Sequence, residues 1–202
     1  NSATVTISAS DLQALTNGAS YTLTADVTNS AGNAATQVSS SSFAVDTSVP
    51  SINAIGRSAF SWGAVLNALE DDNDGTVTVT TVGVEDGQTV TITLNSNTYT
   101  ANVSSNSATV TISASDLQAL TNGQSYTMTA DVSDAAGNAA TQVTSSSFAV
   151  DVTAPSINAI GTSAFSEGAV VDSGEGVDVG SGRVTTVGVE DGQSVTVTLD
   201  KK

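Results

Sequence analysis

This sequence predicts an all-β architecture of tandem immunoglobulin-like β-sandwiches, about seven strands each, and three observations carry that prediction. Side chains alternate apolar and polar through most of the chain, as in TVTVTTV (76–82) and QTVTITL (88–94). A period of two belongs to strands with one buried and one wet face. The pattern also repeats as a whole: NSATVTISASDLQALTNGASYTLTADV (1–27) returns as NSATVTISASDLQALTNGQSYTMTADV (106–132). The offset is a constant 105 residues, and about 70 of the 97 overlapping positions are identical. A period that long marks whole domains in tandem, not a solenoid of short units. Finally, one period holds seven alternating runs, the count of an immunoglobulin-like sandwich.

The phase of the repeat is set by VDTSVP (45–50) and VDVTAP (150–155), which read as linkers. Each ends in a proline that cannot continue a ladder. Residues 1–47 are then the C-terminal half of one repeat, 48–151 a complete repeat, and 152–202 the N-terminal half of the next.

In the complete repeat the expected strands are SINAI (51–55), TVTVTTV (76–82), QTVTITL (88–94), NTYTANV (97–103), SATVTIS (107–113), QSYTMTADVS (124–133) and the run ending in FAVD (148–151). The inward set is Val77, Val79, Val90, Ile92, Leu94, Tyr99, Val103, Val110, Ile112, Tyr126, Met128, Ala130, Val132, Phe148 and Val150. One helical turn interrupts the strands. Ser115 is the expected cap, with Gln118 three residues on and Asn122-Gly123 as the stop. Its Leu117 and Leu120 are expected to plug one end of the sandwich.

Composition narrows the function. The chain has 20 acidic and 4 basic residues, a net charge of −16. Nucleic acid is excluded as a partner, because its affinity rests on Lys and Arg. An anionic membrane surface is excluded likewise, and no apolar run approaches the ~20 residues of a membrane span. No signal peptide is read in the sequence. With no His and no Cys, Ser-His and Cys-His catalysis and Cys/His zinc sites are impossible. The reading is of a non-enzymatic protein with no small-molecule substrate.

The natural partner of such a chain is a cation, and its acidic groups fall at expected strand ends. EDDNDG (70–75) holds Glu70, Asp71, Asp72 and Asp74. EDG supplies Glu85 and Asp86, repeated as Glu190 and Asp191. DVSDAAGN supplies Asp131, Asp134 and Asn138, followed by linker Asp151, and the first copy carries Asp26, Asn33 and Asp46. The copy of EDDNDG is EGVDVG, which keeps Glu175 and gains Asp178. Calcium takes six to eight oxygens from carboxylates, amides and carbonyls, and loops of this kind can supply them. Glu85, Asp86, Asp131, Asp134 and Asp151 are expected to meet at a domain junction. Solvated acidic turns are the plain alternative, since Asp, Asn and Gly favour turns anyway. Isolated Asp11 and Asp116 need no metal, each lying in a capped first turn.

Two further features bear on binding. Trp62 aligns with Glu167 of the next copy, which suggests a surface residue. The T-x-T rows could present a flat face to a surface such as ice or a glycan. Thr is, however, simply a good strand former on a wet face.

The VDVTAP linker, the DAAGN turn and the seven-strand pattern resemble the bacterial Ig-like repeats of giant calcium-dependent adhesins exported by type I secretion. Within that family the segment SINAIG…SWGAVLNALEDDNDGTVTVTTVGVEDGQTVTITLNSNTYTANV is most similar to the extender repeats of ice-binding adhesins. The resemblance covers the entire chain, and 166–182 less well than the rest. It implies a stalk on the bacterial cell surface, in which calcium within repeats and at their junctions bridges neighbouring repeats. A different, distal domain would bind ice. Positions 176, 177 and 179, and Asn29 in place of an Asp, depart from the pattern.

Overall fold

A computed structural model describes residues 2–55, 60–161 and 182–198. The first half-repeat carries a helical turn α1 (Ala9–Gln13) and four two-residue strands. These are β1 (Ser20–Tyr21), β2 (Thr24–Ala25), β3 (Val38–Ser39) and β4 (Phe43–Ala44), paired β1–β4 and β2–β3.

The next segment contains every residue of the buried apolar cluster, from Ile52 to Val150. Its elements are β5 (Ser51–Ala54), β6 (Val65–Asn67), β7 (Gly75–Val82), β8 (Thr89–Leu94), β9 (Asn97–Asn102), β10 (Ser107–Ile112), α2 (Ala114–Gln118), β11 (Ser125–Tyr126), β12 (Thr129–Asp131), β13 (Val143–Thr144) and β14 (Phe148–Asp151). One layer has the order β10-β7-β5. Facing it are β13-β12-β8-β9 and β11-β14-β6. These two join into one layer, because β11 and β12 are halves of one run and β13 and β14 halves of another.

The two runs break for a local reason. Met128 N–H donates to Ser145 Oγ (2.8 Å) while Ser145 N–H donates to the Met128 carbonyl (2.8 Å). A side-chain hydroxyl thus stands in for one rung of the ladder.

Alternation places the core as expected. In β7 Val77 and Val79 are fully buried, opposite Val110 and Ala108 of β10. In β8 Val90, Ile92 and Leu94 turn inward, and Thr91 and Thr93 outward. Of the fifteen residues expected inside, thirteen are buried, and Tyr99 and Tyr126 are half-buried at the rim. Tyr126 is held there because its hydroxyl accepts the Thr121 N–H (2.9 Å). Leu117 and Leu120 of the α2 segment are buried, closing one end of the sandwich.

Three details differ from the sequence expectation. The cap of α2 is Ser113, not Ser115: its Oγ accepts the Asp116 N–H and donates to Asp116 Oδ2 (2.7 Å). β6 was not expected, and it runs parallel to β14, with Leu66 opposite Val150. Trp62 is not a surface residue but only 6% exposed. It stacks on Phe60 at 5.4 Å and meets the edge of Phe148 at 5.3 Å. It fits because the neighbouring position is Gly75, where a methyl group would overlap the indole. Glu167 misleads because the two copies diverge between 62 and 78.

The flanking half-repeats show what the core needs. Val5, Ile7, Leu12, Leu23 and Phe43 are exposed, although their counterparts 105 residues on, Val110, Ile112, Leu117, Met128 and Phe148, are buried. In the third repeat β15 (Ser156–Ile160) pairs with β16 (Val184–Val187), reproducing the β5–β7 pairing and its register shift.

Candidate metal sites at the two poles

The acidic groups of the complete repeat separate to opposite ends of β7. That strand has eight residues, so its ends lie about 25 Å apart at ~3.3 Å per residue. The leading pole is at Val82, beside Ser51 and the incoming linker. The trailing pole is at Gly75, beside EDDNDG and α2.

At the leading pole, β7 ends at Gly83, whose positive φ of 72° turns the chain toward the EDG loop. Glu85 Oε2 accepts the Ala135 N–H (2.9 Å), and Asp86 Oδ1 accepts the Ser105 N–H (2.7 Å). Asp134 is buried at 4% exposure. Its Oδ1 accepts the Asn138 N–H (2.7 Å) and its Oδ2 the Asn138 Nδ2–H (2.9 Å). The Asn138 side chain, with help from the N–H groups of Asn138, Ala136 and Gly137, holds this carboxyl below its usual range against the opposing effect of burial. Hydrogen bonds to the charged form act in that sense. Asn138 Nδ2 also donates to the carbonyl of linker residue Asp46 (3.1 Å). Asp131 lies within β12, with both carboxylate oxygens accepting from Gln142 Nε2 (3.0 and 2.8 Å).

At the trailing pole Asn67 folds the acidic loop. Its Oδ1 accepts the N–H groups of Leu69 and Glu70, and its own N–H donates to Glu70 Oε2 (3.0 Å). Asp74 Oδ1 accepts the Ala114 N–H at the start of α2 (2.9 Å), and Asp72 Oδ1 accepts Gln118 Nε2–H (2.9 Å). The loop is therefore strapped onto the helical turn. Glu70 and Asp74 line an open recess of ≈ 210 Å³ with Ser61, Trp62, Leu69 and Asn73.

Asp151 does not join Glu85, Asp86, Asp131 and Asp134. It ends β14 opposite Asn67, at the trailing pole. The linker residue that reaches the Asp134 turn is its counterpart in the preceding linker, Asp46. In the first copy, Asp26 pairs with Gln37 as Asp131 does with Gln142. Asn29 Oδ1 accepts the Asn33 N–H (3.0 Å), as Asp134 does from Asn138. Glu190 and Asp191 are exposed. Glu175 and Asp178 lie outside the described residues.

The donor chemistry suits a hard cation, since every group is a carboxylate, amide or carbonyl oxygen. Among the described residues, however, no group of three or more acidic side chains converges to hold a metal ion. Carboxylate oxygens of Glu70, Asp72, Asp74, Glu85, Asp86, Asp131, Asp134 and Asp151 each accept a protein N–H. Asn67, Gln118 and Gln142 are the partners that sequence reasoning missed. Gln37 and Gln142 carried a signal, since they recur at the 105-residue offset.

The fold is a β-sandwich repeat whose acidic groups gather at the two ends of β7. The chain belongs to the bacterial Ig-like domain family, group 3, whose model matches residues 6–149 and 113–186. Three similar solved structures belong to bacterial ice-binding adhesins. One, of a 1.5-MDa ice-binding adhesin studied for host cell surface retention, is 32% identical over 66% of this chain and 42% of its own, at a TM-score of 0.37. A second, described as a Ca²⁺-stabilized adhesin that helps an Antarctic bacterium bind ice, is 30% identical over 72% and 36%, at 0.40. The third, an immunoglobulin-like domain of the M. primoryensis ice-binding adhesin, is 33% identical over 51% and 96%, at 0.36. The chain thus spans less than half the length of the first two. No curated protein sequence matches it. Among the described residues no helix is long and apolar enough to cross a membrane.

Proposed function

We propose that this chain is an extender segment of a large bacterial cell-surface adhesin, a non-enzymatic spacer whose acidic poles bind calcium. One observation carries the spacer reading: the incoming linker joins the complete repeat at the Val82 end of β7, and the outgoing linker leaves at the Gly75 end. Repeats joined that way extend in line, about 25 Å of β7 apiece, and project whatever sits beyond them, an ice-binding domain in the reading the sequence resemblance suggests.

Calcium is the finer part of the proposal. Its support is the concentration of carboxylates at the poles of a chain with four basic residues. The ligands proposed are Glu70, Asp71, Asp72 and Asp74 at the trailing pole with Asp151. At the leading pole they are Glu85, Asp86, Asp134, Asn138 and Asp46. Binding requires these side chains to exchange N–H partners for the ion. An ion bound only by the folded state stabilises it by RT ln(1 + [L]/Kd), about 1.4 kcal/mol per site at a tenfold excess over Kd.

The test is thermal unfolding of the chain in millimolar calcium, in millimolar magnesium and in excess EDTA. A calcium-specific rise in midpoint is expected. Equal midpoints in all three would leave the acidic loops as solvated turns and remove calcium from the function. The buried position of Trp62 removes the only Trp of the chain from any glycan-binding face on this repeat.

A further inference from the structure

One sequence takes two structures in this chain. SATVTI at 107–112 is strand β10, paired along its whole length with β7. SATVTI at 2–7 carries no strand. TVTIT (89–93) lies in β8, between β9 and β12, whereas the similar SVTVT (194–198) carries no strand. The difference is the partner, since a strand is held by its cross-strand neighbours and by the face it buries.

The two unpaired segments belong to faces that match. Val5 and Leu23 are 84% and 49% exposed, whereas their counterparts Val110 and Met128 are fully buried. Val195 and Val197 are 45% and 60% exposed, whereas Val90 and Ile92 are fully buried. Beside them Ile157, Val189 and Val195 line a recess of ≈ 410 Å³, and the equivalent residues Ile52, Val84 and Val90 are buried. The complete repeat shows how the two kinds of face fit: β10 pairs with β7, and β12 with β8. Carried over by the 105-residue offset, that register sets Ser2 opposite Thr185 and Ala3 opposite Val184. It also sets Thr24, Ala25 and Asp26 opposite Thr198, Val197 and Thr196. β2 pairs with β3 along one edge, as β12 does with β13, which leaves the edge that β12 gives to β8.

We propose that these two faces bind each other between copies. The third-repeat face of one copy (156–161 and 182–198) closes on residues 2–47 of a second, and together they rebuild a sandwich like the complete one. A half-repeat that its own chain leaves open thus accepts the matching half from another chain. Within one copy the two faces attach at opposite poles of the complete repeat, so the closing partner is a second copy. The contact is heterologous, and each new copy brings one face of each kind, so it propagates head to tail. It goes beyond the spacer reading, because it links stalk to stalk with no ligand but the protein.

The test is size-exclusion chromatography with light scattering on the full chain in millimolar calcium, over a wide range of concentration. The mass is expected to climb with concentration in whole multiples of the monomer. The double variant Val5→Asp/Leu23→Asp spoils one face and Val195→Asp/Val197→Asp the other, and each alone should stay monomeric. Mixed together, they still offer one intact face of each kind, so the mixture should form dimers and stop there. Leu23→Met copies the residue of the complete repeat and should associate as the parent does. These positions lie outside the complete repeat, so unchanged Trp62 emission reports that its fold is intact. A parent that is monomeric at every concentration would overturn the proposal. So would association that persists in either double variant alone, which is plain stickiness of apolar surface, or a mixture that stays monomeric. None of these readings depends on whether calcium shifts the melting midpoint, so the proposal and the calcium reading fail separately.

Discussion

Replacing Trp62 tests the core most sharply, because the sequence and the structure place that side chain on opposite sides of the protein surface. The indole is 6% exposed, stacked on Phe60 and edge-on to Phe148. Cutting a buried Trp to Ala costs about 3–5 kcal/mol through lost transfer energy and the cavity left behind. One term opposes this: Trp62 Nε1 is buried without a hydrogen-bond partner, and removing such a donor recovers about 1–3 kcal/mol. The net loss for Trp62→Ala is about 2 kcal/mol. At ~4–8 °C per kcal/mol for a domain of this size, the midpoint should fall by about 8–16 °C. Trp62→Phe keeps most of the stack and deletes the orphan donor, so it should stay within about 1 kcal/mol of the parent. Urea and thermal unfolding followed by far-UV circular dichroism measure both. Trp62 is the only Trp in the chain, so its fluorescence in the parent should be that of a buried indole. A Trp62→Ala change within ~0.5 kcal/mol, the size of a plain surface substitution, together with water-exposed emission, would refute the placement.

Gly75→Ala should destabilise the same region by about 1–3 kcal/mol, since the added methyl overlaps Trp62 and overpacking costs that much. In the double variant with Trp62→Ala the penalty should shrink, which thermal melts would show. Ser113→Ala removes the cap of α2 and should cost about 1 kcal/mol, whereas Ser115→Ala should cost less; equal losses would contradict the assigned cap. The depressed carboxyl of Asp134 contributes stability above the unfolded-state Asp value of about 3.9, and that contribution is lost as pH falls through the lower folded value. Asp134→Asn should therefore melt below the parent at pH 6, with the gap closing under pH 4. A gap independent of pH would show that the carboxylate charge plays no part.

Elements governed by alternation were legible before the structure, and those governed by distant partners were not. Strands β7, β8 and β10 put Val77, Val79, Val90, Ile92, Val110 and Ile112 where a period of two demands. β6 escaped because it turns only Leu66 inward, and one residue has no period. Trp62 was misread by trusting an aligned copy across a stretch where the copies diverge. The acidic residues were visible, but not what they hold. Asp72 bonds Gln118 46 residues on, Glu85 bonds Ala135 50 residues on, and Asn138 reaches back 92 residues to Asp46. No local spacing encodes such pairs, since they exist only once the sheets have brought strand ends together.

Length scales separate the two roles that acidity could have in such an array. Self-repulsion from a net charge of −16 could hold neighbouring repeats apart only if their fields reached one another. The screening length is about 8 Å at physiological ionic strength and shorter in saltier water, whereas the poles of one repeat are separated by about 25 Å of strand. Charge at one pole is thus screened from charge at the other pole of the same repeat, so repulsion can act only between the poles that face each other at a joint. The contacts made at a joint include the Asn122 hydrogen bond to Thr153 and the reach of Asn138 to the Asp46 carbonyl. What the carboxylates can govern is local, namely the fold of the loops that surround each joint. That is where an ion would have to act to change the stiffness of the whole.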